Sequence, residues 1–157
     1  MHFLIKNVRA GIELSHINKV ILLPELEPVP GGPVYLAGLL NLAGKSITVI
    51  DLAMCLGMER SHRYTLETPI IICTDEQSYL GIIVDKILGL EAIDPMEIQM
   101  KDKLDQPDSP FMGVATIANN LTLLINIKNI LERNSLLETI RYSFDPKLMI
   151  KTATSYE

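Results

Sequence analysis

Cysteine and histidine are too few and too scattered in this sequence to build a metal centre or a disulfide framework. Cys55 and Cys73 lie in separate apolar stretches and form no CxxC pair, and His2, His16 and His62 stand apart. Zinc sites and disulfide scaffolds need clustered ligands. Both cysteines are therefore expected as buried, reduced thiols, with no metal and no cofactor. A basic excess is missing too: 14 Lys and Arg face 19 Asp and Glu, for a net charge of -5. Nucleic-acid binders gain most of their affinity by neutralising phosphates, and anionic membrane surfaces attract polybasic segments, so neither is an expected partner. The apolar stretches are broken by Gly, Asn or Asp well short of a bilayer span. The first residues lack the basic, apolar and small-residue regions of a secretion signal. Direct membrane insertion is not expected, and the cytoplasm is the expected location.

What is present is a globular balance, 48% apolar and 21% charged over 157 residues, enough for one domain with a sizeable core. Short apolar runs separated by turn signals predict a β-rich barrel or sandwich. The expected strands are His2–Val8, Ala10–Leu14, Val20–Leu23, Val34–Leu42, Ser46–Ile50, Pro69–Thr74, Tyr79–Val84, Phe111–Ala118 and Leu121–Ile125. Ser15 is expected to cap a short turn through Lys19. Prolines 24, 28, 30 and 33 make that stretch a loop, and 95–110 reads as a polar excursion. Ala43-Gly44-Lys45 predicts a tight hairpin with Gly44 at positive φ, and Asn119-Asn120 a second one. Asp51 is placed to cap a short helix, Leu52–Leu56, ended by Gly57. Ile127–Tyr142 carries a helical apolar stripe. Three runs end alike, Ile50-Asp51, Val84-Asp85 and Ile125-Asn126, as though a buried strand were repeated with a polar residue at its exit. That echo predicts two similar sub-barrels.

Catalytic patterns do not emerge. An Asp51–Asp85 dyad sharing a proton would be the sharpest enzymatic idea, but neither residue is followed by the small hydroxyl residue and glycine of an aspartic protease loop. Two capping aspartates are the expected alternative. No Gly-x-Ser-x-Gly elbow, phosphate-binding glycine loop or His-Glu-x-x-His helix occurs. The expectation is a protein that binds other proteins and is not an enzyme.

The run from Gly38-Leu39-Leu40-Asn41-Leu42-Ala43-Gly44 through Val49-Ile50-Asp51-Leu52 to Leu56-Gly57 resembles the signature of the CheW-like domain family. Gly81-Ile82-Ile83-Val84-Asp85-Lys86-Ile87 resembles the family's second motif. Gly113-Val114-Ala115, Leu121–Ile125 and Ile130-Leu131 resemble its closing hairpin and helix. The matches follow the family's order across 1–135, leaving 136–157 as the end of a C-terminal helix and a tail. The resemblance implies two five-stranded SH3-like β-barrel subdomains sharing a hydrophobic core, without catalysis. It implies a chemotaxis adaptor coupling chemoreceptors to a CheA-type histidine kinase. The kinase's regulatory domain, of like fold, would pair through barrel ends, and the receptor's cytoplasmic tip would lie in the groove between barrels. The chain would be a monomer in isolation and part of a receptor–kinase array.

By position, Val20, Gly38 and Ile87 keep the small or apolar character of the family's contact groove, with ordinary core packing as the competing reading. Ala43 stands where the family usually has Arg, Leu22 where it has Glu, and Thr48 where it has Pro. Leu22 and Ala43 are expected on one groove, retuned toward a more apolar helix. These departures also raise a divergent adaptor for another kinase pathway, such as type IV pilus motility. A small β-barrel binding an apolar metabolite is a further alternative; it requires a pocket.

Overall fold

A computed structural model describes residues 1–59, 63–99 and 106–134. Its strands are β1 (His2–Ile5), β2 (Val8–Gly11), β3 (Ile17–Leu22), β4 (Leu36–Leu42), β5 (Lys45–Asp51), β6 (Pro69–Thr74), β7 (Tyr79–Ile83), β8 (Lys86–Gly89), β9 (Phe111–Ile117) and β10 (Asn120–Ile125). A short helix α1 (Leu52–Cys55) follows β5. A second, α2, follows β10 over residues 127–134. The strands form two five-stranded sheets, ordered β8-β1-β2-β10-β9 and β3-β6-β7-β5-β4. The second is built from consecutive strands; the first joins the two ends of the chain around it.

The two sheets repeat one plan. Each holds one parallel pair, β5 with β7 and β10 with β2. Neither closes by a continuous ladder. A single bridge instead covers the outer edge of one strand in each: Glu27 exchanges both backbone hydrogen bonds with Leu39 of β4, and Gln99 does the same with Val114 of β9, at 2.8–2.9 Å. A glycine at φ 149° precedes each bridged residue, Gly38 in one sheet and Gly113 in the other. A Cβ on Gly38 would lie 2.6 Å from the Glu27 carbonyl oxygen, so only glycine lets the proline-rich loop lie this close. In each sheet the strand after the bridged one, β5 or β10, runs into a capped helix. Asp51 Oδ1 accepts from the Met54 N–H at 3.0 Å, and Asn126 Oδ1 from the Asn129 N–H at 3.3 Å.

Alternation in β6 and β7 explains the core. Ile71, Cys73, Leu80 and Ile82 face a cluster shared with Phe3, Ile5, Ala10 and Ile12 of the other sheet and with Ile127, Ile130 and Leu131 of α2. Ile70, Ile72 and Ile83 face the opposite way, into a cluster with Leu40, Ile47 and Val49 that belongs to the second sheet alone. With both faces buried, β6 reads as an unbroken apolar run. Ile21 of β3 and Leu42 of β4 pack on that second cluster too, so the sheet curls until its two edge strands cover one interior. Each fully buried isoleucine contributes about 1.5–3 kcal/mol. The expected β-rich architecture with two five-stranded subdomains, a shared core and a C-terminal helix is what is found. Among the described residues no helix is long and apolar enough to cross a membrane.

Several boundaries differ from expectation. The first hairpin turns at Lys6-Asn7, with Lys6 at φ 53°, not beyond Val8. The turn through Lys19 is instead a 3-10 helix at Leu14–His16 capped by no side chain. β3 starts at Ile17, because its ladder to β6 runs from Ile17 opposite Cys73. β8 was not anticipated. The hairpin loops are two residues each, Ala43-Gly44 (φ 50° and 81°) and Ala118-Asn119 (φ 47° and 62°), so Lys45 and Asn120 already belong to strands. Within the 95–110 excursion, Gln99 pairs with Val114. The echoed runs do not fall one per subdomain, since β5 and β7 are neighbours in one sheet. The expected helix is described through 134, and its continuation to Tyr142 lies outside the described residues.

Candidate protein-interaction surface

β3 is an edge strand of the second sheet. Its alternation sends Ile21 inward and leaves Val20 39% and Leu22 61% exposed, two apolar side chains two residues apart on one strand face. The structure brings these two site candidates together. Ile87 sits opposite Phe3 on β8, the edge of the other sheet, and half-buried it packs against the shared core. Gly38 is buried beneath the Glu27 bridge, so its place in the fold is to admit that segment. Ala43 is exposed at the β4–β5 hairpin tip. β3 and β4 stand at opposite ends of the sheet order, so Leu22 and Ala43 are not ladder neighbours. Near Ala43, the Lys45 ammonium stands 4.9 Å over the Tyr79 ring, a cation–π contact that ties the hairpin to β7. Thr48 is buried in β5, paired with Leu39 on one side and Leu80 on the other.

The two aspartates serve the backbone. Asp51 is buried; beyond its cap, Oδ2 accepts from the Tyr64 hydroxyl at 2.7 Å. Asp85 is exposed, and its Oδ2 accepts from the Lys6 N–H at the β1–β2 turn. It therefore braces a turn in another segment and does not cap its own exit, which corrects the expected pair of local caps. The Cys73 thiol is fully buried, and burial pushes its pKa up to about 12; burial raises that of Cys55 as well. Neither has the depressed pKa of a nucleophilic thiol. Among the described residues no group of three or more His, Cys, Asp and Glu side chains is placed to hold a metal ion.

Two features escaped the sequence reading. Leu14, Leu66, Leu90 and Met96 are 58–91% exposed, and nothing in local apolar periodicity separates them from core leucines. A cavity of about 320 Å³ opens in the first sheet's subdomain, lined by residues that include His2, Gly11, Ile12, Leu90, Ile98 and Leu124. Its walls come from both ends of the chain, so no local motif reveals it.

Two five-stranded sheets of one plan, each with one edge covered by a single bridge and joined through a shared core, match a module of two SH3-like subdomains. The chain belongs to the CheW-like domain family, whose model matches residues 1–135. It is 24% identical to a chemotaxis protein CheW of Thermotoga maritima over 140 residues, 89% of this chain and 91% of that protein. A chemotaxis protein CheW of Rhizobium meliloti is 25% identical over 105 residues, 66% of this chain and 67% of that protein. Among solved structures, the scaffolding protein TtCheW of Thermoanaerobacter tengcongensis superposes with a TM-score of 0.71 at 25% identity, covering 80% of this chain and 86% of that one.

Proposed function

We propose that this protein is a non-catalytic signalling scaffold of the cytoplasm that couples chemoreceptors to a CheA-type histidine kinase through protein–protein contacts. The observation that carries the reading is the family match across 1–135. The chemotaxis proteins to which the chain is similar support it. In this reading 1–135 is the interaction module and 136–157 its tail. The barrel ends meet the kinase's regulatory domain. The face bearing Val20 and Leu22, with Ile87 and the Ala43 hairpin, meets the receptor tip, and Gly38 serves it from beneath by holding the Glu27 segment in place. The molecule is a monomer alone and joins an array with its partners.

Calorimetry against the regulatory domain of the histidine kinase encoded nearest this gene tests the reading. Modest, saturable binding is expected; no binding at high micromolar concentration overturns it. A second reading rests on Leu22, an apolar side chain 61% exposed where the family usually carries Glu. A divergent member serving another kinase pathway, such as type IV pilus motility, would present this face to a more apolar helix. Deleting the gene and scoring swimming and twitching separately distinguishes the two.

A further inference from the structure

We propose that the cavity in the first barrel is a binding site for a small, uncharged, apolar molecule. The two barrels differ at this place. In the second barrel the facing pair Ile70 and Ile83 fills the barrel's own apolar core. The matching pair in the first barrel is His2 and Gly11, also directly opposite each other. The match is fixed by equivalent backbone bonds beside each pair, Val84 N–H to Pro69 O and Ile12 N–H to Met1 O. Where two isoleucines meet in one barrel, an imidazole and a bare glycine meet in the other. The space that opens is the cavity, about 320 Å³, at the lower end of the range of small-molecule sites.

The wall chemistry selects the ligand. Ile12, Leu14, Leu90, Ile93, Ile98 and Leu124 make it mostly aliphatic. His2 is the one buried polar side chain among the lining residues; its Nδ1 is sealed off and has no hydrogen-bond partner, so the aliphatic walls select the ligand. Pockets lined in this way take apolar ligands. Glu13 and Glu91 are exposed among the lining residues on a chain of net charge -5, which disfavours an anionic amphiphile such as a fatty acid. The site is independent of the scaffold reading and is tested on the free protein.

The probe is N-phenylnaphthylamine, a neutral aromatic amine whose fluorescence rises in apolar surroundings, titrated with the full chain. Saturable one-to-one binding is expected. Gly11→Ile recreates the second barrel's packing. A Cβ there has only ordinary contacts, at 3.4–3.7 Å, and in the folded variant affinity is expected to fall about tenfold or more. Leu90→Trp, on an exposed position lining the cavity, obstructs it and serves if Gly11→Ile does not fold. Leu66→Ala, at a still more exposed leucine that does not line the cavity, leaves binding unchanged. Absence of saturable binding overturns the proposal, as does a folded Gly11→Ile or Leu90→Trp protein that binds the probe as tightly as the parent.

Discussion

Asp51 and Cys73 show what a single side chain contributes to this fold. Asp51 gives one oxygen to the Met54 N–H and the other to the Tyr64 hydroxyl. Asp51→Asn keeps an acceptor for the cap and is expected to cost little. Asp51→Ala removes the cap, about 0.5–2 kcal/mol, and leaves the half-buried Tyr64 hydroxyl without this partner, roughly a further 1 kcal/mol; urea denaturation of both variants checks the difference. Cys73 makes stability depend on alkaline pH. Its folded pKa is raised from 9.0 to about 12, so the unfolded chain loses the thiol proton first. The contribution is whole below pH 9 and is lost as pH rises toward 12. Urea midpoints measured across that window are expected to fall, and Cys73→Val to flatten part of the decline. At this scale the sequence was informative wherever partners are local. The Asp51 cap spans three residues and was readable. The Asp85 bond reaches Lys6, 79 residues away, and no pattern near Asp85 announces it.

Elements were legible where both faces are buried. β5, β6 and β7 appear in the sequence as apolar runs near their observed bounds. β8 did not, because Lys86–Gly89 has no fully buried residue and is a strand by virtue of its pairing to β1. In the first half of β3 only Ile17 packs on the core, while Asn18 and Lys19 are polar and exposed on the edge, so the segment reads as a turn. Four prolines make the segment 24–33 a loop, yet its one bridge at Glu27 is what covers the β4 edge. That bridge makes a prediction. Gly38→Ala forces a Cβ against the Glu27 carbonyl at a φ that L residues avoid, and it is expected to cost at least about 1–3 kcal/mol; Gly31→Ala, with open space around it, pays only the backbone strain. At the neighbouring hairpin, Ala43 holds φ 50°. Ala43→Gly is expected to stabilise by up to about 1–2 kcal/mol, seen as a raised melting temperature.

For the molecule as a whole, the family signature and the β-rich class were open to reading, but the assembly of the two sheets was not. Both parallel pairs, β5 with β7 and β10 with β2, join strands distant in sequence, and alternation within a strand does not name its neighbour. The same limit applies to the interaction surface: whether Leu22 and Ala43 share one groove depends on how the β3 and β4 edges of the curled sheet meet, and nothing within either strand specifies that. A partner seated on Val20 and Leu22 would bury apolar area, so its affinity is expected to vary little with salt, and Leu22→Glu to weaken receptor-tip binding by leaving a desolvated charge unpaired. Titrations of both proteins at two ionic strengths decide this; unchanged or tighter binding of Leu22→Glu removes the face from the interface.

The second barrel is inserted whole between β2 and β8, and this orders events in time as the chain emerges from the ribosome. β3 to β7 come out consecutively and can pair at once, whereas β1 and β2 must wait for β8 and β10; Phe3 meets Ile87 across 84 residues. Long-range pairing is slow because loop closure precedes any reward. Pulse-labelled hydrogen exchange during refolding is therefore expected to protect the amides of β6 and β7 before those of β1 and β2. Until then Phe3 and Ile5, fully buried at the end, are exposed on an unpartnered hairpin, and a nascent chain stalled after β7 carries its greatest aggregation hazard at its oldest residues.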